Sequence, residues 1–221
     1  MRKSSPVQYL IRAGLYCLGL LFLAFGVALS VNSNLGVSPV NSLPYVVSKI
    51  VNVQMGTCVI VIFCSYILMQ VLILRKEFKI INLLQIVFST IFGYFVDFAK
   101  WVVGSWAIPT YFGSLVMLAV SIVLVAVGIL LYMGVEMVPM PMEGLTSALS
   151  KKTGVVFHKM KLIVDCIVVA LGLVLCLVFL GKLDGVREGT IITAIAVGPL
   201  MGVIRAPITK LVKKLSFGTE E

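Results

Sequence analysis

The chain has 221 residues, of which 60% are hydrophobic and only 12% charged, with a formal net charge of +9. Soluble domains carry about one quarter charged residues, so a sizeable soluble domain is excluded and a polytopic helical membrane protein is implied. The basic residues lie between apolar runs, where they set topology, so the positive charge does not point to nucleic acid.

Arg2 and Lys3 precede the first apolar run, 12–31. A short segment follows at 38–50, opening with Ser38-Pro39 and ending near Lys49. The second and third apolar runs, 57–74 and 81–99, are joined by the basic stretch Arg75-Lys76-Glu77-Phe78-Lys79. The connection 101–112 carries Trp101, Trp106 and Tyr111, which suit an aromatic belt at a bilayer surface. Another apolar run spans 113–133, and a second short segment spans 140–152. The last two runs, 161–180 and 189–206, precede a basic tail at 207–221. Six runs reach the ~20 residues that cross a bilayer as helix.

Two parts of the chain resemble each other at a constant offset of 102 residues. Ala24-Phe25-Gly26-Val27-Ala28-Leu29 returns as Ala126-Val127-Gly128-Ile129-Leu130-Leu131. Ser38-Pro39-Val40-Asn41-Ser42-Leu43 returns as Met140-Pro141-Met142-Glu143-Gly144-Leu145, and Ser48-Lys49 as Ser150-Lys151. A cleaved signal peptide at the start is disfavoured, because the segment around Gly26 has this internal counterpart.

Residues 1–100 and 113–206 thus form two repeats of three spans each, joined by the external connection 101–112. An odd number of spans forces the second repeat to start from the opposite side, which makes the repeats inverted. With a cytoplasmic N-terminus, 14 of the 18 Lys and Arg residues fall on the inside. The positive-inside rule therefore places both termini in the cytoplasm.

The segments 38–50 and 140–152 are too short to span. Each opens with proline at its first helical position, Pro39 and Pro141, and ends in lysine. Lysine ends at the surface and proline ends near the midplane make them half-helices. Paired half-helices in inverted repeats point to a transport site, and their N-termini suit a polar or anionic group. The alternative is a pair of interfacial helices packed on the bundle. Asn41 and Glu143 are equivalent positions. They either line the site or, with Ser38, cap the first helical turn. Asp165 lies inside the fifth span, where a carboxylate is costly and suspect. Lys161, four residues earlier, offers a local ion pair instead.

Other residues carry less. Met133, Met137, Met140 and Met142 cluster in the second repeat but have no counterpart in the first, so no metal is assigned. Cys17, Cys58, Cys64, Cys166 and Cys176 all sit in apolar runs without a CxxC, as packing residues do. No phosphate-binding glycine loop, nucleophile elbow or HExxH occurs, so neither enzymatic activity nor a cofactor is expected. Ala194, Gly198 and Gly202 form a small-residue row that serves internal packing or a homodimer. The tail from Ile208 to Leu215 reads as a basic amphipathic helix lying on anionic lipid.

Gly26-x-Ala28-Leu29 followed by Leu35-Gly36-Val37-Ser38-Pro39 resembles the N-terminal signature of the YczE/YyaS/YitT family of bacterial membrane proteins. Gly189-Thr190 followed by Val197-Gly198-Pro199-Leu200-Met201-Gly202 resembles that family's last span. The second repeat departs from the pattern, with Met137-Val138-Pro139-Met140-Pro141 in place of the Leu-Gly-x-x-Pro turn. The resemblance implies a bacterial inner-membrane protein and supplies no substrate. The expected function is transport of a small polar solute, anions included, by alternating access, with Ser38, Asn41, Glu143 and Asp165 at the site. A substrate-binding subunit of an energy-coupling-factor importer and a non-transporting accessory or sensor protein are the alternatives.

Overall fold

The computed structural model describes residues 6–181 and 185–217, so Arg2, Lys3 and Lys182 lie outside the described residues. Among the described residues, six helices are long and apolar enough to cross a membrane, where a helix pairs every main-chain group within its own segment. They are α1 (Pro6–Asn32), α3 (Met55–Leu74), α4 (Leu84–Val103), α5 (Tyr111–Gly134), α7 (Phe157–Leu175, widening into a π-helical turn to Leu180) and α8 (Glu188–Phe217). Between them lie two helices of 13 residues each, α2 (Pro39–Val51) and α6 (Pro141–Thr153).

The two short helices have the same backbone design. Proline occupies the first turn of each, where its missing N–H costs nothing. Each ends on a left-handed residue, Asn52 for α2 and Gly154 for α6, whose N–H bonds back to the carbonyl of Ser48 or Ser150. The turns that precede them also match, with positive φ at Asn34 and at Glu136.

α1 and α5 form the centre of the bundle. They run antiparallel, with Gly19 against Gly128 and Gly26 against Ser121. A Cβ on Gly19 would sit 2.8 Å from the Gly128 carbonyl oxygen, so only glycine permits this approach. The Ser121 hydroxyl donates to the Gly26 carbonyl at 2.8 Å. α4 packs on α1, and α8 packs on α5. α2 and α6 both pack against α3 and α7. Ser42 of α2 meets Gly172 of α7, and Gly144 of α6 meets Gln70 of α3.

The two halves differ at the periphery. α3 packs along α4, whereas α7 and α8 have no comparable interface. Half of the apolar stretch of α1 and α5 is buried within the protein, against 6% for α8. The tail also departs from expectation. α8 does not end at 206 but continues as helix through Pro207 to Phe217. Val212 is fully buried against Gly134 at the end of α5, and this packing carries the helix past the proline.

Candidate functional site

The start of α2 is a small polar knot. Ser38 stands at the N-cap, but its side chain makes no capping bond. Its hydroxyl instead accepts from the Asn41 amide nitrogen at 3.0 Å. That disposes of capping for Ser38. Asn41 is only 5% exposed, and its Oδ1 has no partner among the described residues.

The start of α6 has different chemistry on the same backbone. Glu143 lies in the first turn, where a carboxylate complements the helix dipole. Its Oε2 is buried without a hydrogen-bond partner among the described residues. Gln70 of α3 pins this helix start by donating to the Pro141 carbonyl and to Gln85 Oε1, both at 3.0 Å. Gln85 returns a bond to Gln70 Oε1 at 3.3 Å.

Tyr16, Tyr132, Lys161 and Asp165 all lie within electrostatic reach of Glu143. Lys161 Nζ pairs with Asp165 Oδ1 at 2.6 Å, so the local ion pair is realised. Glu143 and Asp165 therefore share one lysine, which Asp165 already pairs. Tyr66 of α3 is within reach of Asp165, and its hydroxyl is buried without a partner. Ser89 of α4 also carries an unpartnered buried hydroxyl. Its place is one turn along α4 from Gln85, as Tyr66 is one turn along α3 from Gln70. Phe63 and Phe92 stack across the same helix pair, with centroids 5.9 Å apart. Buried polar atoms are almost always paired, so four orphans concentrated at the helix starts and the α3–α4 seam call for a reason.

The irregular chain leading into each short helix is held by different means. Residues 33–38 are tied by main-chain bonds to the turn before α8 and to the start of α8: Val37 N to Gly185 O at 2.9 Å and Gly189 N to Leu35 O at 2.7 Å. Arg187 adds a bond to the Asn34 carbonyl at 2.8 Å. Gly36 has φ +108, and a Cβ there would meet Thr190 Oγ1 at 2.6 Å. The two sequence motifs, Leu35-Gly36 and Gly189-Thr190, thus touch each other. Residues 135–140 are tied by side chains of α1 instead. Arg12 Nε donates to the Val135 carbonyl at 2.9 Å, and Tyr16 donates to the Val138 carbonyl at 2.9 Å.

The expected residues therefore fall into two groups. Ser38 and Asn41 bond to each other, Glu143 and Asp165 share one electrostatic neighbourhood, and no hydrogen bond among the described residues joins the groups. Asp97, in the second half of α4, accepts from Gly56 N at 2.7 Å and so caps α3. Tyr16, Tyr66, Gln70, Gln85 and Ser89 were not singled out by sequence reasoning. The signal for the glutamines was available, since each is an uncharged polar side chain near the end of an apolar span, on either side of a short connection. Among the described residues, no group of three His, Cys, Asp or Glu side chains is placed to hold a metal ion.

The model of a family of unknown function (DUF6198) matches residues 10–206. The chain is 29% identical over 148 residues to the uncharacterized membrane protein YczE of Bacillus subtilis (strain 168), a match covering 66% of this chain and 66% of YczE, just under two thirds of its length. It is 29% identical over 192 residues to the uncharacterized protein YyaS of the same organism, covering 85% of this chain and 89% of YyaS. These relatives agree with the family read from the motifs. No solved structure matches the chain. With six apolar helices and a relative named as a membrane protein, the chain is a membrane protein.

Proposed function

The chain belongs to the family of unknown function DUF6198, and on that premise we propose that it is a plasma-membrane transporter of a small polar solute. It works by alternating access between two inverted three-span repeats, with both termini cytoplasmic. Helix pairings support the inversion. Shifting each residue to its counterpart 102 positions away turns the Gly19–Gly128 contact into Ser121–Gly26, and the Ser42–Gly172 contact into Gly144–Gln70. The same shift relates the left-handed residues Asn34 to Glu136 and Asn52 to Gly154.

One observation carries the functional reading. Asn41 and Glu143, equivalent positions in the two short helices, each hold a buried oxygen with no partner among the described residues. Leaving such an atom unpaired costs about 1–3 kcal/mol, which a bound solute offsets. Both atoms are acceptors, so the solute presents N–H or O–H groups. Lys161 is already paired with Asp165, which favours a neutral or cationic donor at Glu143 over an anion. Glu143 and Asp165 are also the groups available to carry a coupling proton.

Thermal stability of the purified protein across a library of small metabolites tests this, because a ligand of the native state raises stability by mass action. A donor-rich solute that stabilises the wild type and not Glu143→Gln is the expected result. No stabilising solute, together with a Glu143→Gln variant as stable as wild type, contradicts it and favours an accessory protein.

A further inference from the structure

One face of α8 borders an open cleft of about 440 Å3 where it crosses the end of α5. Met133 of α5 and Met201 of α8 give the cleft an apolar wall. Gly198 and Gly202 leave its floor bare, since a Cβ on either would meet no atom within 4 Å. Further along α8 the lining changes character. Arg205, Thr209 and Lys213 recur every four residues, which puts them on one helix face. Glu136 also lines this end, from the turn after α5. Arg205 and Lys213 form no ion pair among the described residues, and two cations outnumber the one carboxylate.

We propose that this cleft is a binding site for one anionic phospholipid. Its phosphate sits between Arg205 and Lys213, with the Thr209 hydroxyl donating to it, and an acyl chain lies on the glycine floor. The gradient along the cleft, apolar and then basic, matches the change from hydrocarbon to headgroup along a membrane normal. A free anion leaves the apolar half of the cleft unused. A zwitterionic lipid brings its own cation against Arg205 and Lys213. A second copy of the chain docked face to face on this row sets the same cations against each other. The site therefore replaces a tail lying flat on the bilayer with a packed helix that grips a single lipid. It stands independently of the transport reading.

Native mass spectrometry of the detergent-purified protein, offered phosphatidylglycerol or phosphatidylcholine, tests the site. Wild type is expected to retain one phosphatidylglycerol in preference to phosphatidylcholine. The paired substitution Arg205→Gln and Lys213→Gln lowers that retention about tenfold or more. Gly202→Leu lowers it as well, because the open floor accepts the side chain without disturbing the fold. The pair Lys210→Gln and Lys214→Gln makes the same charge change at exposed positions outside the cleft, and leaves retention intact. Equal retention of the two lipids, or equal loss from both paired variants, overturns the proposal. So does full displacement of phosphatidylglycerol by inorganic phosphate, which assigns the cations to a free anion.

Discussion

α2 and α6 have equal length, the same proline start and the same left-handed cap, yet they present opposite chemistry. α2 offers a neutral Ser38–Asn41 pair, while α6 offers Glu143 with two tyrosines, a lysine and a second carboxylate within electrostatic reach. Their approaches differ as well: main-chain bonds hold the first, and side chains of α1 hold the second. A duplicated backbone thus needs little sequence identity, only prolines, cap residues and close-packing glycines. The side chains at the two starts are free to diverge.

Substitutions at matched positions sharpen this contrast. Gly36→Ala should have the largest effect. It forces an unfavourable φ at about 1–3 kcal/mol and overlaps Thr190 and the Arg187 nitrogen, at about 1–3 kcal/mol more. Val138→Ala, at the equivalent position, loses only about 1–2 kcal/mol of apolar burial. Thermal unfolding in detergent compares them, and equal losses would mean that the two approaches are held alike.

Tyr16→Phe comes next. It strands the buried Val138 carbonyl and should cost about 1–3 kcal/mol. Arg187→Ala should cost less than about 1 kcal/mol, because the main-chain bonds at Val37 and Gly189 remain. Glu143→Gln is expected to stabilise the ligand-free protein by about 1 kcal/mol, since it replaces a buried, incompletely paired carboxylate by a neutral amide. Asn41→Asp, which adds such a charge at the other start, should destabilise it. A matching sign for the two variants would remove the chemical contrast between α2 and α6. The smallest effect belongs to Lys151→Ala. Its 2.7 Å pair with Glu77 is exposed and worth about 0–1 kcal/mol, close to the loss expected for Lys49→Ala, whose ammonium lies 5.5 Å over the Tyr45 ring.

Much of this architecture is legible in the chain itself. The short segments expected at 38–50 and 140–152 appear at Pro39–Val51 and Pro141–Thr153, because proline and the cap residues act locally. The Lys161–Asp165 pair follows from helical spacing alone. The continuation of α8 past Pro207 is not legible, because it depends on Val212 packing against a glycine 78 positions earlier, at Gly134. Nor is the Gln70–Gln85 pair that pins α6, since its bond to Pro141 crosses 71 residues. Nor is the absence of a capping bond from the Ser38 hydroxyl, which accepts from the Asn41 side-chain amide.

The inverted arrangement is tested most directly by accessibility from the two sides of the membrane. Single cysteines at Lys49 and Lys151, in a background lacking the five native cysteines, are treated in intact cells with a membrane-impermeant thiol reagent. Labelling at position 49 from outside, and at position 151 only after the membrane is opened, is the expected result. Labelling of both from the same side contradicts the inverted repeats and with them a site shared between α2 and α6.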